Sequence, residues 1–240
     1  MVYTMQIQCP SYLCDSNDLL HTWAAVRLCQ EVTEYHGNVT GIGFEELKAK
    51  NMAWVISRAY YEVWRRPHAF EELILSTWSR GSNGVFGFRD YLMKTTKGET
   101  LLAGTSYWPL IDFTTRHAVR LNNIVDNYEN HPETACNVTK IKRLKPPTDA
   151  KAVMIDTKHV ANSMLDHTQH VNNSEYIRWA FDKCDIQQAG KPYSLEVNFN
   201  LESRIGEQLS LCDYSYNNSH LFCINNPRGV SALMQISDIN

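Results

Sequence analysis

Hydrophobic positions crowd the stretch "DLLHTWAAVRLCQEVTEYH", residues 18–36. Leu19, Leu20, Trp23, Ala24, Val26, Leu28, Val32 and Tyr35 leave few polar positions before its last turns. The spacing predicts an α-helix over 18–36, enclosed on most sides rather than lying on a surface. Asp15, Ser16 or Asn17 would cap it and Gly37 would end it. After residue 50 the pattern changes. "MAWVISRAYYEV", "EELILSTWSR", "GVFGFRDYLMKT" and "ETLLAGTSYWPLID" are β-branched and aromatic runs separated by "RRPHAF", "RGSNG" and "TTKG". One helix followed by a meander of antiparallel strands is predicted. From residue 151 the order returns: "AVMIDTKHV" reads as a strand, and Ile177, Ala180, Phe181 and Cys184 recur at i, i+3, i+4, i+7. Residues 191–239 then supply three more strands.

The two halves align in order. "CDSNDLLHTW" matches "LDHTQHVNNS" at an offset of 151, "YEVWRRPHAFEELILSTW" matches "VNFNLESRIGEQLSLCDY" at 136, and "GETLLAGTS" matches "GVSALMQIS" at 131. A shrinking offset is what a second copy with shorter loops produces. One helix wrapped by a strongly curved antiparallel sheet, twice over, is an α+β tandem (double) hotdog. The boundaries fall at 1–130 for the first hotdog domain, 131–150 for a polar linker with Pro132, Pro146 and Pro147, and 151–240 for the second.

The halves differ in chemistry. Asp15 and Asp166 match, and an Asp before a helix is explained by capping. At the other matched positions the first half has Leu19 and Arg66 where the second has His170 and Glu202. Asp166, Thr168 and His170 at i, i+2, i+4 could face one cleft beside a helix N-terminus, and Glu202 would reach it from a turn between strands. Carboxylates with an imidazole suit hydrolysis of an activated acyl group. Asn172 and Asn173 are local capping groups and substrate-binding candidates at the same mouth. Trp23, on the first helix, would help line an apolar acyl tunnel. Reading Asp166, His167 and His170 as metal ligands fails for want of further ligands to complete a set.

A net charge of −3 over 240 residues argues against general nucleic-acid binding. No apolar run reaches the length of a membrane span. "KIKRLK", residues 140–145, reads as a solvated connector. Seven cysteines without a CxxC suit reduced, mostly buried thiols, and the N-terminus shows no secretion signal, so a cytoplasmic protein is expected. GxSxG, HExxH and a Walker loop are absent, and "GIGFEE" lacks the third glycine of a dinucleotide fingerprint.

"DHTQHVNNSEYIRWAFD" resembles the D-x-N-Q-H-V-N-N-x-x-Y-I-x-W segment of acyl-acyl carrier protein thioesterases, the plant plastid enzymes and their bacterial relatives. "ILSTWSRGSNGVFGFRDYLM" and "SYWPLIDFTTRHAVRL" resemble that family's first-half signatures. The resemblance implies a tandem hotdog that hydrolyses fatty acyl thioesters of acyl carrier protein, ending chain elongation in fatty acid biosynthesis. It implies a catalytic set of Asp166, Thr168, His170 and Glu202, and no metal or redox cofactor. Thr168 stands where the family has Asn, and Ser203 where plant members have a Cys, so a thiol nucleophile is not expected. The lack of a transit peptide resembles the bacterial members. An acidic acyl carrier protein would be steered by Arg58, Arg65, Arg66 or the 140–145 cluster. Whether two chains pair as a homodimer, and whether Asp166 or water attacks, stay open. The alternatives are a hotdog dehydratase or hydratase of 3-hydroxyacyl thioesters, and a non-catalytic acyl-thioester-binding module.

Overall fold

The computed structural model describes residues 1–121, 130–147, 150–188, 190–214 and 219–239. The chain forms two compact units, Met1–Ile141 and Lys142–Asn240. In the first unit the order is β1 (Val2–Gln8), α1 (Thr22–Val39), α2 (Phe44–Lys48), β2 (Met52–Trp54), β3 (Arg58–Val63), β4 (Glu72–Ser82), β5 (Phe86–Thr95), β6 (Thr100–Asp112) and β7 (Ala118–Val119). The strands lie in the antiparallel order β1-β4-β5-β6-β3, with β2 and β7 added to β6. The second unit runs β8 (Val153–His159), α3 (Asn173–Phe181), β9 (Tyr193–Phe199), β10 (Gln208–Asp213), β11 (Ser219–Asn226) and β12 (Gly229–Asp238), in sheet order β9-β12-β11-β10-β8. Each unit is one main helix against an antiparallel sheet, the hotdog arrangement. Among the described residues four strands follow α3 rather than the three expected, with β10 and β11 paired antiparallel. Strand β1 and helix α2 were not anticipated.

Period-two alternation decides which face of β4 meets the helix. Leu73, Leu75 and Thr77 are buried on the side of α1, while Ile74, Ser76 and Trp78 face the opposite side. Helix α1 contributes Ala24, Ala25, Val26, Cys29 and Val32, all buried, and no residue from Thr22 to Gln30 is exposed. Its last turns emerge, with Tyr35 and Val39 exposed. The expected helix boundaries shift by several residues. Residues 18–21 form a bridge in which Leu20 pairs with Cys14, so α1 begins at Thr22 after His21, which makes no side-chain cap. Gly37 does not end the helix. It lies inside α1, where a Cβ would stand 3.3 Å from Gly43 Cα, so glycine permits the helix to pass close to the following turn. Thr40 ends α1, its hydroxyl donating to His36 O at 2.7 Å.

Residues 130–141 lie on the outer face of the first sheet. His131 N donates to Ser79 O at 2.9 Å, Trp78 Nε1 to Glu133 O at 2.9 Å, and Ile141 N to the Tyr107 hydroxyl at 3.1 Å. Asp90, fully buried, accepts from Arg80 Nε at 2.6 Å and from Ala135 N at 2.8 Å. Beside this strap a cleft of about 470 Å³ is lined by Trp64, Trp78, Leu92 and Lys94. All seven cysteines are free thiols, five of them buried.

Candidate active site

In the second unit, residues 165–171 form a tight loop closed by a bridge between Leu165 and Val171. Asp166 N donates to His170 O at 2.9 Å, and Gln169 N to Asp166 O at 3.0 Å. The Asp166 carboxylate organises the loop from within. Its Oδ1 accepts from Thr168 N at 2.8 Å, Thr168 Oγ1 at 2.6 Å and His170 N at 3.4 Å. A short acidic side chain bonding backbone two residues ahead is the reason Asp suits such turns. Gln169 adopts φ +64°, a left-handed conformation that a non-glycine residue holds only where its surroundings fix it.

The first unit contains the same loop. Cys14 bridges Leu20, Asp15 N donates to Leu19 O at 2.9 Å, and Asp15 Oδ1 accepts from Asn17 N at 2.8 Å and Leu19 N at 3.2 Å. Asp18 takes φ +59° where Gln169 takes +64°. The next loop is matched too: Leu20 N donates to Pro67 O at 2.8 Å and Val171 N to Ser203 O at 3.0 Å. The offsets of 151 and 136 are therefore reproduced bond for bond. Neither Asp caps a helix, contrary to that expectation, because both helices begin six or more residues later. The α3 cap is Asn172, whose Oδ1 accepts from Ser174 N at 2.9 Å and Ser174 Oγ at 2.7 Å.

Chemistry separates the copies. In the first, Arg66 Nη1 lies 2.7 Å from Asp15 Oδ2, an ion pair whose side chains are 6% and 18% exposed. In the second, Glu202 occupies the place of Arg66 and its Oε2 contacts His170 Nε2. Thr168 Oγ1 lies 3.2 Å from His170 Nδ1. Asp166, Thr168, His170 and Glu202 thus form one hydrogen-bonded chain. The His170 and Glu202 side chains remain 27% and 40% exposed, so a substrate can reach them. Among the described residues no group of three or more His, Cys, Asp and Glu could hold a metal ion.

Glu202 sits in the turn between β9 and β10, and residues that the sequence did not single out fix that turn. Asn226 Nδ2 donates to Glu202 O at 3.0 Å, and Arg228 Nη2 donates to the same oxygen at 2.6 Å while pairing with Glu207 at 3.1 Å. Ser203 is buried, its Oγ 2.8 Å from Ser231 Oγ, a packing position rather than a reacting one. No sequence pattern announces Asn226 or Arg228, since Asn and Arg beside a glycine turn are ordinary.

Of the other binding candidates, Asn172 takes the capping role also expected of it. Asn172 Oδ1 is occupied by the helix cap, and Asn173 opens α3. Trp23 stacks on His21 with ring centroids 5.5 Å apart, under Arg27. The three arginines expected to steer an acidic partner are committed internally. Arg65 binds Glu71 at 2.8 Å and Glu99 at 2.7 Å, Arg66 binds Asp15, and Arg58 lies over Phe86. Lys140, Lys142, Arg143 and Lys145 are exposed.

Residues 1–128 match the family description "Acyl-ACP thioesterase N-terminal domain" and residues 148–232 match "Acyl-ACP thioesterase C-terminal domain". The dodecanoyl-[acyl-carrier-protein] hydrolase of Umbellularia californica is 31% identical over 66% of this chain and 44% of its own length. Oleoyl-acyl carrier protein thioesterase 1 of Arabidopsis thaliana is 25% identical over 78% of this chain and 56% of its own. The chain thus spans about half the length of these relatives. Among solved structures, an acyl-ACP thioesterase from Bacteroides thetaiotaomicron superposes with a TM-score of 0.87 at 21% identity, covering 98% of this chain and 97% of that one. The 12:0-ACP thioesterase of Umbellularia californica gives 0.84 at 21% identity, covering 98% and 96%. These two likenesses bear on the fold. Two matched domain descriptions in the right order, covering most of the sequence, place this chain in the acyl-ACP thioesterase family.

Proposed function

We propose that the chain hydrolyses the thioester of a fatty acyl-acyl carrier protein, releasing free fatty acid and holo-carrier. The contact between His170 and Glu202 carries this reading, because it exists only in the second copy, on a loop whose backbone both copies share. In the first copy Leu19 cannot move a proton and Arg66 cannot accept one at any ordinary pH. In the second, Nε2 and a carboxylate share one site at the surface. Water attacks the acyl carbon, forming the new C–O bond, and gives up one proton to the His170–Glu202 pair. The C–S bond breaks and the leaving thiolate takes a proton back from the imidazole. Family membership and relatives named for acyl-carrier thioester hydrolysis support the substrate class. Lys142, Arg143 and Lys145, exposed at the start of the second unit, are among the basic groups that an acidic carrier would meet.

The test is thiol release from acyl-carrier thioesters ranging from medium to long chains. His170→Ala and Glu202→Gln should each lower kcat at least tenfold, about 1.4 kcal/mol, with the fold unchanged. Wild-type turnover in both folded variants ends the assignment. Formation of an enoyl product without thiol would establish the dehydratase reading instead, and binding without either product would establish a binding module.

A further inference from the structure

Thr168 stands where the family resemblance leads one to expect an amide, and its hydroxyl touches both the acid and the imidazole. Thr168 Oγ1 lies 2.6 Å from Asp166 Oδ1 and 3.2 Å from His170 Nδ1. Donor and acceptor arithmetic decides the direction of both bonds. An ionised carboxylate only accepts, and a hydroxyl has one proton. The 2.6 Å bond to Asp166 takes that proton, so toward Nδ1 the hydroxyl can only accept. Nδ1 must therefore carry hydrogen. Nε2 is left as the nitrogen whose protonation changes, and it is the one in contact with Glu202.

The first copy serves as an internal control. Asn17 occupies the position of Thr168, is exposed, and contributes only its backbone N–H to Asp15. Beside it stands Leu19, with no imidazole to orient. The hydroxyl bridge occurs where there is a ring to hold.

We infer that Thr168 is a positioning residue: it passes the charge of Asp166 to Nδ1 of His170, fixes the Nδ1–H tautomer and leaves Nε2, facing Glu202, as the nitrogen that takes up and returns the exchangeable proton. Second partners of this kind orient an imidazole without touching the reacting atoms. The inference rests on the proposed hydrolysis for its kinetic consequence, but its structural content does not depend on turnover.

The full-length chain labelled with ¹⁵N-histidine provides the primary readout, with His170→Gln used to assign the signal. At neutral pH the wild-type His170 resonance should show a protonated Nδ1. Thr168→Ser, which keeps the hydroxyl, should retain that pattern. Thr168→Val, which removes it at nearly equal volume, should shift the ring toward the Nε2–H form or a mixture. In the activity assay Thr168→Val should lower kcat about tenfold with KM within about twofold, and move the pH profile, while Thr168→Ser stays near wild type. An unprotonated Nδ1 in the wild-type protein overturns the inference even if Thr168→Val does not fold, as does an unchanged tautomer in folded Thr168→Val. Absence of thioester turnover in the wild type defeats the functional reading and leaves the tautomer measurement standing.

Discussion

Mild acid should destabilise the first unit through His36. This residue lies on the buried side of α1, 4% exposed, with its ring stacked on Tyr3 at 5.7 Å. Arg89 Nη1 lies 2.9 Å from His36 Nδ1. A guanidinium only donates, so Nδ1 is an acceptor and cannot hold a proton in the folded state. Burial lowers the pKa first, the adjacent guanidinium adds to it, and the folded value falls to about 4. The unfolded chain protonates near 6.5. With a depressed folded pKa the unfolded state takes up the proton first. The stability this confers is full above pH 6.5 and is lost as pH falls toward 4. At 1.36 kcal/mol per pH unit the whole difference is about 3 kcal/mol, of which about 2 kcal/mol disappears between pH 8 and pH 5. Denaturant titrations at those two pH values measure it. His36→Gln, whose amide oxygen can still accept from Arg89, should be less stable at pH 8 but should lose about 2 kcal/mol less than wild type on acidification. Equal losses in the two proteins would refute the reasoning, as would direct titration of His36 near 6.5.

Two further perturbations probe the first unit. Arg66→Met removes the partner of Asp15 at a largely buried ion pair, 2.7 Å apart, and leaves the carboxylate unpaired. A loss of about 3 kcal/mol in unfolding free energy is expected, read from the denaturation midpoint, and a change under about 0.5 kcal/mol would show that water replaces the guanidinium. Gly104→Ala on β6 would set a Cβ 2.4 Å from Tyr61 Cδ1 and 2.9 Å from Tyr60 O. Because Tyr61 is fully buried and Tyr60 O is backbone, neither can withdraw freely, and overpacking should cost about 1–3 kcal/mol. A melting temperature equal to wild type would show that the strands can separate there.

Much of the architecture was legible from short-range pattern. The β-type run in 71–80 and the helical spacing of Ile177, Ala180, Phe181 and Cys184 require only neighbouring residues, and both became elements of the expected type, although α3 ends at Phe181, before Cys184. The duplication was legible because the segments match in order and keep the loop Asp, Asp15 and Asp166, and the structure returns the same backbone bonds at offsets of 151 and 136. Residues 18–21 misled for a physical reason. Their apolar character serves a bridge to Cys14 and His68, which outranks helix propensity at that point. Between β10 and β11 the sequence carries no glycine or proline, the punctuation that most plainly separates two strands.

For the site, the sequence by itself determined which groups share one segment, Asp166, Thr168 and His170 at alternate positions, while the structure showed that the Asp166 carboxylate binds the loop's own backbone rather than capping α3. It also determined that one copy lacks the imidazole and the carboxylate. Only the tertiary structure decided which partner each charge took. Glu202 reaches His170 because Val171 and Ser203 join two loops by a backbone bond, and because Asn226 and Arg228 hold the Glu202 carbonyl. Arg65 and Arg66, which read as free cations, were claimed by Glu71, Glu99 and Asp15. Local sequence sets the conformation a segment prefers. The partner of a long charged side chain depends on strand register and on loops distant in the chain, and these exist only once the sheet has formed.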